Sequence, residues 1–118
     1  MKVVRSSHAP SEEMTGGIFT GTVKMTPLIN ADTGANQFRS ALVYFLAGVR
    51  NKLHSHTHEQ IFFVTKGKGI VTTEDHEHVV EPGDVVVVPA GEMHWHGAID
   101  DTDFERLYAV PLNSETTY

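Results

Sequence analysis

Histidines recur at alternate positions in two stretches of this chain, and that spacing limits the backbone able to carry them. Residues 48–67 read GVRNKLHSHTHEQIFFVTKG and hold His54, His56 and His58, with the carboxamide of Gln60 two positions further on. Residues 83–96 read GDVVVVPAGEMHWH and hold His94 and His96. Side chains two apart share a face only on an extended strand, so both stretches read as strands with an imidazole-bearing wall. Brought together, His54, His56, Gln60 and His94 make a three-nitrogen, one-oxygen set of the kind that takes a first-row divalent metal. The competing reading is a ligand-binding barrel without metal, but imidazoles gathered on one inner face are what a metal requires. His8, His76 and His78 read as ordinary surface or core histidines, and His58 as part of the turn before the next strand.

The same alternation defines a pocket. If Gln60 faces the metal, Phe62 and Val64 lie on the same inner face, as substrate lining or as plain core. If His94 faces it, so does His96, with Trp95 turned away. His96 is then an extra imidazole beside the metal, or a supporting or surface histidine. The cavity should be mostly apolar, the usual description of a small-molecule site.

The rest of the chain supports an all-β reading. Short strands are expected at residues 18–25 (ended by Pro27, which removes a ladder donor), 37–47, 52–56, 60–66, 69–73, 78–81, 85–88, 94–98 and 104–110. Residues 1–5 suit an edge strand and residues 6–17 a loop. Turn clusters at 30–36, 67–69, 73–77, 82–83 and 89–91 separate them. Many short strands at this spacing indicate a sandwich or barrel. With 118 residues, one domain of modest core fits: an arm at 1–17, a barrel at 18–112 and a tail at 113–118.

Nine basic and fifteen acidic residues give a net charge of −6 with no basic cluster, which argues against nucleic acid and anionic membrane as partners. Cysteine is absent, which removes disulfides and thiol chemistry. No stretch reads as a membrane span or a signal peptide, so a cytoplasmic location is expected.

At these residues the chain resembles a small single-domain cupin. The family's first motif is a glycine, His-x-His, a Glu and a closing Gly; Gly48, His54, His56 and Gly67 match, with Gln60 in the Glu position. The second is a glycine, Pro-x-Gly, His and Asn; Gly83, Pro89, Gly91 and His94 match, with Ala98 replacing the Asn. The resemblance implies a double-stranded jelly-roll barrel closed around one divalent transition metal, whether manganese, iron, nickel or zinc. It also implies a homodimer, with residues 1–5 or the apolar strand faces in the interface.

Gln60 is the informative departure. A Glu ligand subtracts one charge from a divalent ion, whereas an amide leaves it available to bind anions or acidify a bound hydroxyl. A similar Gln occurs in the bacterial cupins with manganese- or iron-dependent hydroxynitrile lyase activity, which the words at 19–23, 27–28 and 94–98 also resemble. Cupins that help linearise unsaturated uronates are similar through residues 56–60. In the lyases a further histidine sits on the strand after the second motif; Arg106 aligns there, leaving His96 as the acid/base of that type. The resemblance therefore implies a metal-dependent lyase, or a related enzyme, acting on a small polar molecule through Lewis-acid chemistry with His96 moving the proton. The alternatives are a non-catalytic metal- or sugar-acid-binding cupin and a metal-dependent dioxygenase.

Overall fold

β-Branched and aromatic residues at alternate positions, broken by glycine turns, set the architecture. The computed structural model of the protein describes all 118 residues and contains eleven strands with two short 3-10 turns, and no α-helix. The strands are β1 (Glu12–Met14), β2 (Val23–Ile29), β3 (Phe38–Phe45), β4 (Ser55–His56), β5 (Gln60–Gly67), β6 (Gly69–Thr72), β7 (Glu77–Val80), β8 (Val85–Val88), β9 (Trp95–Ala98), β10 (Phe104–Pro111) and β11 (Thr116–Thr117). One sheet runs β1-β2-β3-β10-β5-β8, wholly antiparallel. Facing it, β7-β6-β9 and the β11-β4 pair are stitched together by bridges at Arg50–Gly97 and His54–His94. Two sheets folded over one interior make the jelly roll.

Alternation along each strand decides what enters the interior. Ala41, Val43 and Phe45 of β3, Gln60, Phe62 and Val64 of β5, and Phe104, Arg106 and Val110 of β10 are buried. Val43, Phe45, Phe62, Val64 and Phe104 join Phe19, Val23, Val71, Val80, Val88 and Ala98 in one continuous core. The polar members gather at one end of the interior, beside the facing sheet's histidines.

Two close approaches hold the ligand-bearing strands together. A β-carbon on Gly97 would run into the Arg50 backbone, so only glycine lets β9 lie against residues 49–54. Gly67 turns with φ +72° where a side chain would collide with the Asp103 carbonyl.

The strand expectations fail in three places. Residues 1–5 form no strand; Glu12–Met14, within the expected loop, covers the edge of β2 instead. The strand expected at 18–25 starts at Val23 and continues through Pro27, which pairs with Ala41 beside a bulge. Past Met25 β1 offers β2 no partner, so the missing Pro27 N–H breaks no ladder. The tail adds a strand not among those expected: Thr116 and Thr117 pair with His56 and Ser55.

Candidate metal centre

His54 and His94 lie opposite one another on neighbouring strands and exchange both backbone hydrogen bonds, each 2.9 Å. His56 follows His54 by two residues and faces the same way. The ring centroids are 4.3 Å apart for His54–His94, 4.8 Å for His54–His56 and 5.3 Å for His56–His94. One ring nitrogen of each lies within 4.8 Å of the other two.

Outer hydrogen bonds decide which nitrogen faces inward. His54 Nδ1–H donates to the Lys52 carbonyl at 2.6 Å and His94 Nδ1–H to the Glu92 carbonyl at 2.9 Å. A carbonyl only accepts, so both rings carry their proton on Nδ1 and turn the Nε2 lone pair inward. His56 Nδ1 pairs with the Thr116 hydroxyl at 2.9 Å. His56 Nε2, His94 Nε2 and Gln60 Oε1 are buried without any hydrogen-bond partner. Buried polar atoms are normally satisfied, and a cation among these acceptors would satisfy all three. The donor set fits a divalent metal on this chain's own geometry.

Electrostatics agree. Burial pushes both His54 and His56 down to about 4, opposed for His54 by its bond to the Lys52 carbonyl and for His56 by the Gln60 carboxamide beside it. Burial also lowers His94. All three imidazoles are neutral at pH 7, the state in which they ligate.

His96 is fully buried, with its ring 5.5 Å from His94 and 5.7 Å from His54. Burial first, then the Arg106 charge, lowers it well below the ordinary 6.5. Its Nδ1 faces the Asn51 Nδ2 amide at 3.2 Å and accepts from Arg106 Nε–H at 3.3 Å. The Asn51 carbonyl oxygen accepts the His96 backbone N–H at 2.9 Å. Two donors on Nδ1 leave the proton of this neutral ring on Nε2. Trp95 is turned to the other side of β9, with the Arg50 guanidinium 4.4 Å above its ring.

His54, His56, Gln60, Asn51, His96 and Arg106 border a cavity of about 100 Å³, with Phe19, Val43, Tyr108, Arg39 and Thr116 among its other walls. Two larger hollows are more open, one of about 510 Å³ against residues 73–78 and Glu92–Met93 with none of the three histidines in its wall, and one of about 470 Å³ along β7 and β8 that His94 borders. Convergent buried ligands, rather than size, place the site in the smaller cavity. Phe62 lies 5.1 Å from His96 between ring centroids, and Val64 is buried in the core on the same face.

Arg39, Asn51, Tyr108 and Thr116 were not anticipated. Arg39 and Tyr108 have a signal in the sequence, since each alternates with inward residues of its strand. Thr116 has none, because its place depends on the tail pairing with β4.

A jelly roll that presents His-x-His from one strand and a third histidine from its neighbour defines a cupin. Residues 41–110 match the Cupin domain family, more than half of the chain, and the protein belongs to that family. It is 36% identical over 108 residues to an (R)-mandelonitrile lyase of Granulicella tundricola, covering 91% of this chain and 82% of that one. Over 71 residues it is 30% identical to an acireductone dioxygenase of a Sulfurihydrogenibium species, covering 55% of this chain and 40% of that protein. The crystal structure of a cupin-like protein from Thermotoga maritima superposes with a TM-score of 0.78 at 30% identity, covering 88% and 84% of the two chains.

Proposed function

We propose that this protein is a metal-dependent cupin enzyme with lyase-type activity on a small polar molecule, hydroxynitrile-like carbon–carbon cleavage being the reaction nearest its make-up. The observation that carries this reading is the set of buried acceptors, His56 Nε2, His94 Nε2 and Gln60 Oε1, that the protein itself leaves unpaired beside His54. His54, His56, Gln60 and His94 would hold the ion, with manganese and iron the first candidates and nickel and zinc the others. The similarity to the mandelonitrile lyase over most of both chains supports the lyase class. A cytoplasmic location and a homodimeric assembly belong to the same proposal.

A bound divalent metal supplies Lewis acidity toward a hydroxyl or carbonyl oxygen. The chain's residues do the rest. Gln60 completes the set without cancelling charge, which favours an oxygen that becomes anionic. His96 has Nδ1 occupied and offers only Nε2–H, so as a neutral imidazole it would donate a hydrogen bond there to the substrate oxygen on which charge develops. Phe62, packed against the His96 ring, and Val64 are fully buried core residues that keep water from that side.

The test is elemental analysis of the purified protein and of the His54→Ala/His56→Ala variant, followed by assay for cleavage of mandelonitrile. Wild type should hold about one equivalent of metal and release benzaldehyde and cyanide. The double variant should hold none yet keep a cooperative melting transition, lowered by the space the two rings leave, because the apolar core itself is unchanged. A variant with full metal means the site is misplaced, and a loaded wild type without turnover ends the lyase reading. The local similarity to the acireductone dioxygenase favours a second reading, oxygen chemistry at the same metal. Oxygen consumption across a substrate panel identifies it, and substrate binding without turnover would identify a non-catalytic binding cupin.

A further inference from the structure

Arg106 is the anomaly of the interior. It stands mid-strand on the inner face of β10, between Val43 of β3 and Val64 of β5 in the sheet register, and is 4% exposed. A guanidinium so placed is costly unless a carboxylate answers it. None does. Its one hydrogen bond runs from Nε to the neutral His96 ring, and Nη1 has no partner. Its flanks are aromatic, with Phe62, Tyr108 and Phe45 ring centroids 5.0, 5.4 and 5.6 Å from Cζ. The guanidinium and these rings form a socket whose polar end meets no protein anion.

The rest of the cavity sharpens the imbalance. Arg39 also borders it, held by the Leu112 and Ser114 carbonyls, and no Asp or Glu lies among the lining residues. A divalent ion on three imidazoles and an amide would add its full charge to two guanidiniums that face no side-chain anion. Such a site is complete only when an anion enters with the metal. Arg forks match a carboxylate in two parallel bonds, and an aromatic surround fixes the fork in place. The volume is well below that of a drug-sized pocket, so the acid is short.

We infer that the cavity takes a short-chain 2-hydroxy or 2-oxo carboxylate of about two to four carbons, its carboxylate on Arg106 with Arg39 behind and its second oxygen toward the histidine cluster. The inference deepens the metal-dependent reading by naming the substrate class of the same site. It rests on that reading for the second oxygen only, because Arg106 holds the carboxylate with or without the metal.

The experiment is calorimetric titration of glycolate, and of its uncharged counterpart glycolamide, into metal-loaded and metal-free wild type, Arg106→Leu and Arg106→Lys. Metal content and mandelonitrile cleavage are measured on the same samples. Wild type should prefer glycolate over glycolamide at least tenfold. Arg106→Leu should lose that preference and Arg106→Lys keep part of it, since charge survives but the fork does not. Metal and glycolate should each tighten the other's binding by the same factor. Should Arg106→Leu fail to fold, the wild-type preference and the lysine variant still decide. Equal binding of glycolamide by wild type, or undiminished glycolate binding by folded Arg106→Leu, overturns the inference. Loaded protein that cleaves mandelonitrile but ignores glycolate overturns it while the lyase reading stands. Metal-free protein that binds glycolate through Arg106 and never takes up metal sustains it while the metal reading falls.

Discussion

Gln60 sets the charge of the site, and a single substitution tests it. Gln60→Glu keeps the size of the side chain and places a carboxylate beside the His56 ring. An anionic ligand holds a dication more tightly and offsets its pull on other anions. The variant should retain more metal through dialysis and bind azide about tenfold more weakly, read by elemental analysis and titration. Azide binding as tight as in wild type would mean that Gln60 lies outside the ligand set. The imidazoles give a second expectation at this scale. His54 and His56 are pushed down to about 4 from an ordinary 6.5, so between those pH values the unfolded chain binds more protons than the folded one. Metal-free protein should therefore keep full stability above pH 6.5 and melt progressively lower as the pH falls toward 4. Thermal melts from pH 7.5 to 4.5 check this, and a flat profile would mean that the rings are more solvated than their burial implies.

Strands, more than single residues, hold the site in register. Gly97 lets β9 lie against the backbone at Arg50, and that contact brings His94 opposite His54. β11 closes the other side, where Thr116 pairs with His56 in the ladder and its hydroxyl meets His56 Nδ1. Groups that orient a ligating histidine from behind are typically worth ten- to a hundredfold in metal affinity. Thr116→Val keeps the shape and β-branching of the side chain but removes the hydroxyl. Competition against a chromophoric chelator should show metal affinity reduced about tenfold with the melting temperature almost unchanged. Unchanged affinity would mean that the ladder alone orients His56.

At the scale of the whole molecule, the long sheet leaves an apolar face uncovered. Ile61 pairs with Val87 and Phe63 with Val85 across β5 and β8, and these four side chains are 44–69% exposed. β8 is also an edge strand with unpaired backbone groups on its outer side. A second copy of the chain laid against this face would cover both. Light scattering should give twice the chain mass of 13.0 kDa, and Val87→Lys, a charge at the centre of the face, should return the monomer with the barrel intact. A wild-type monomer at micromolar concentration would refute the dimer. Residues 1–5 pair with no strand of their own chain, and all but Val4 are exposed.

The sequence by itself determined the inner faces. Period-two alternation needs only local geometry, so Gln60, Phe62 and Val64 emerge together on one wall, as do His94 and His96, with Trp95 opposed. The motif glycines and the β-branched runs likewise place most strands within a residue or two, because turn and strand chemistry are local. What tertiary structure alone decided is everything set by neighbours distant in the chain. Pro27 stays in a strand because β1 stops short of it. The tail becomes a strand because β4 has an open side. His96 is identified as a ring pinned by Asn51 and Arg106 only once residues 45 and 10 positions away fold against it. The unanswered charge of Arg106 appears only in three dimensions, since the fifteen acidic residues of the sequence say nothing about which wall they leave bare.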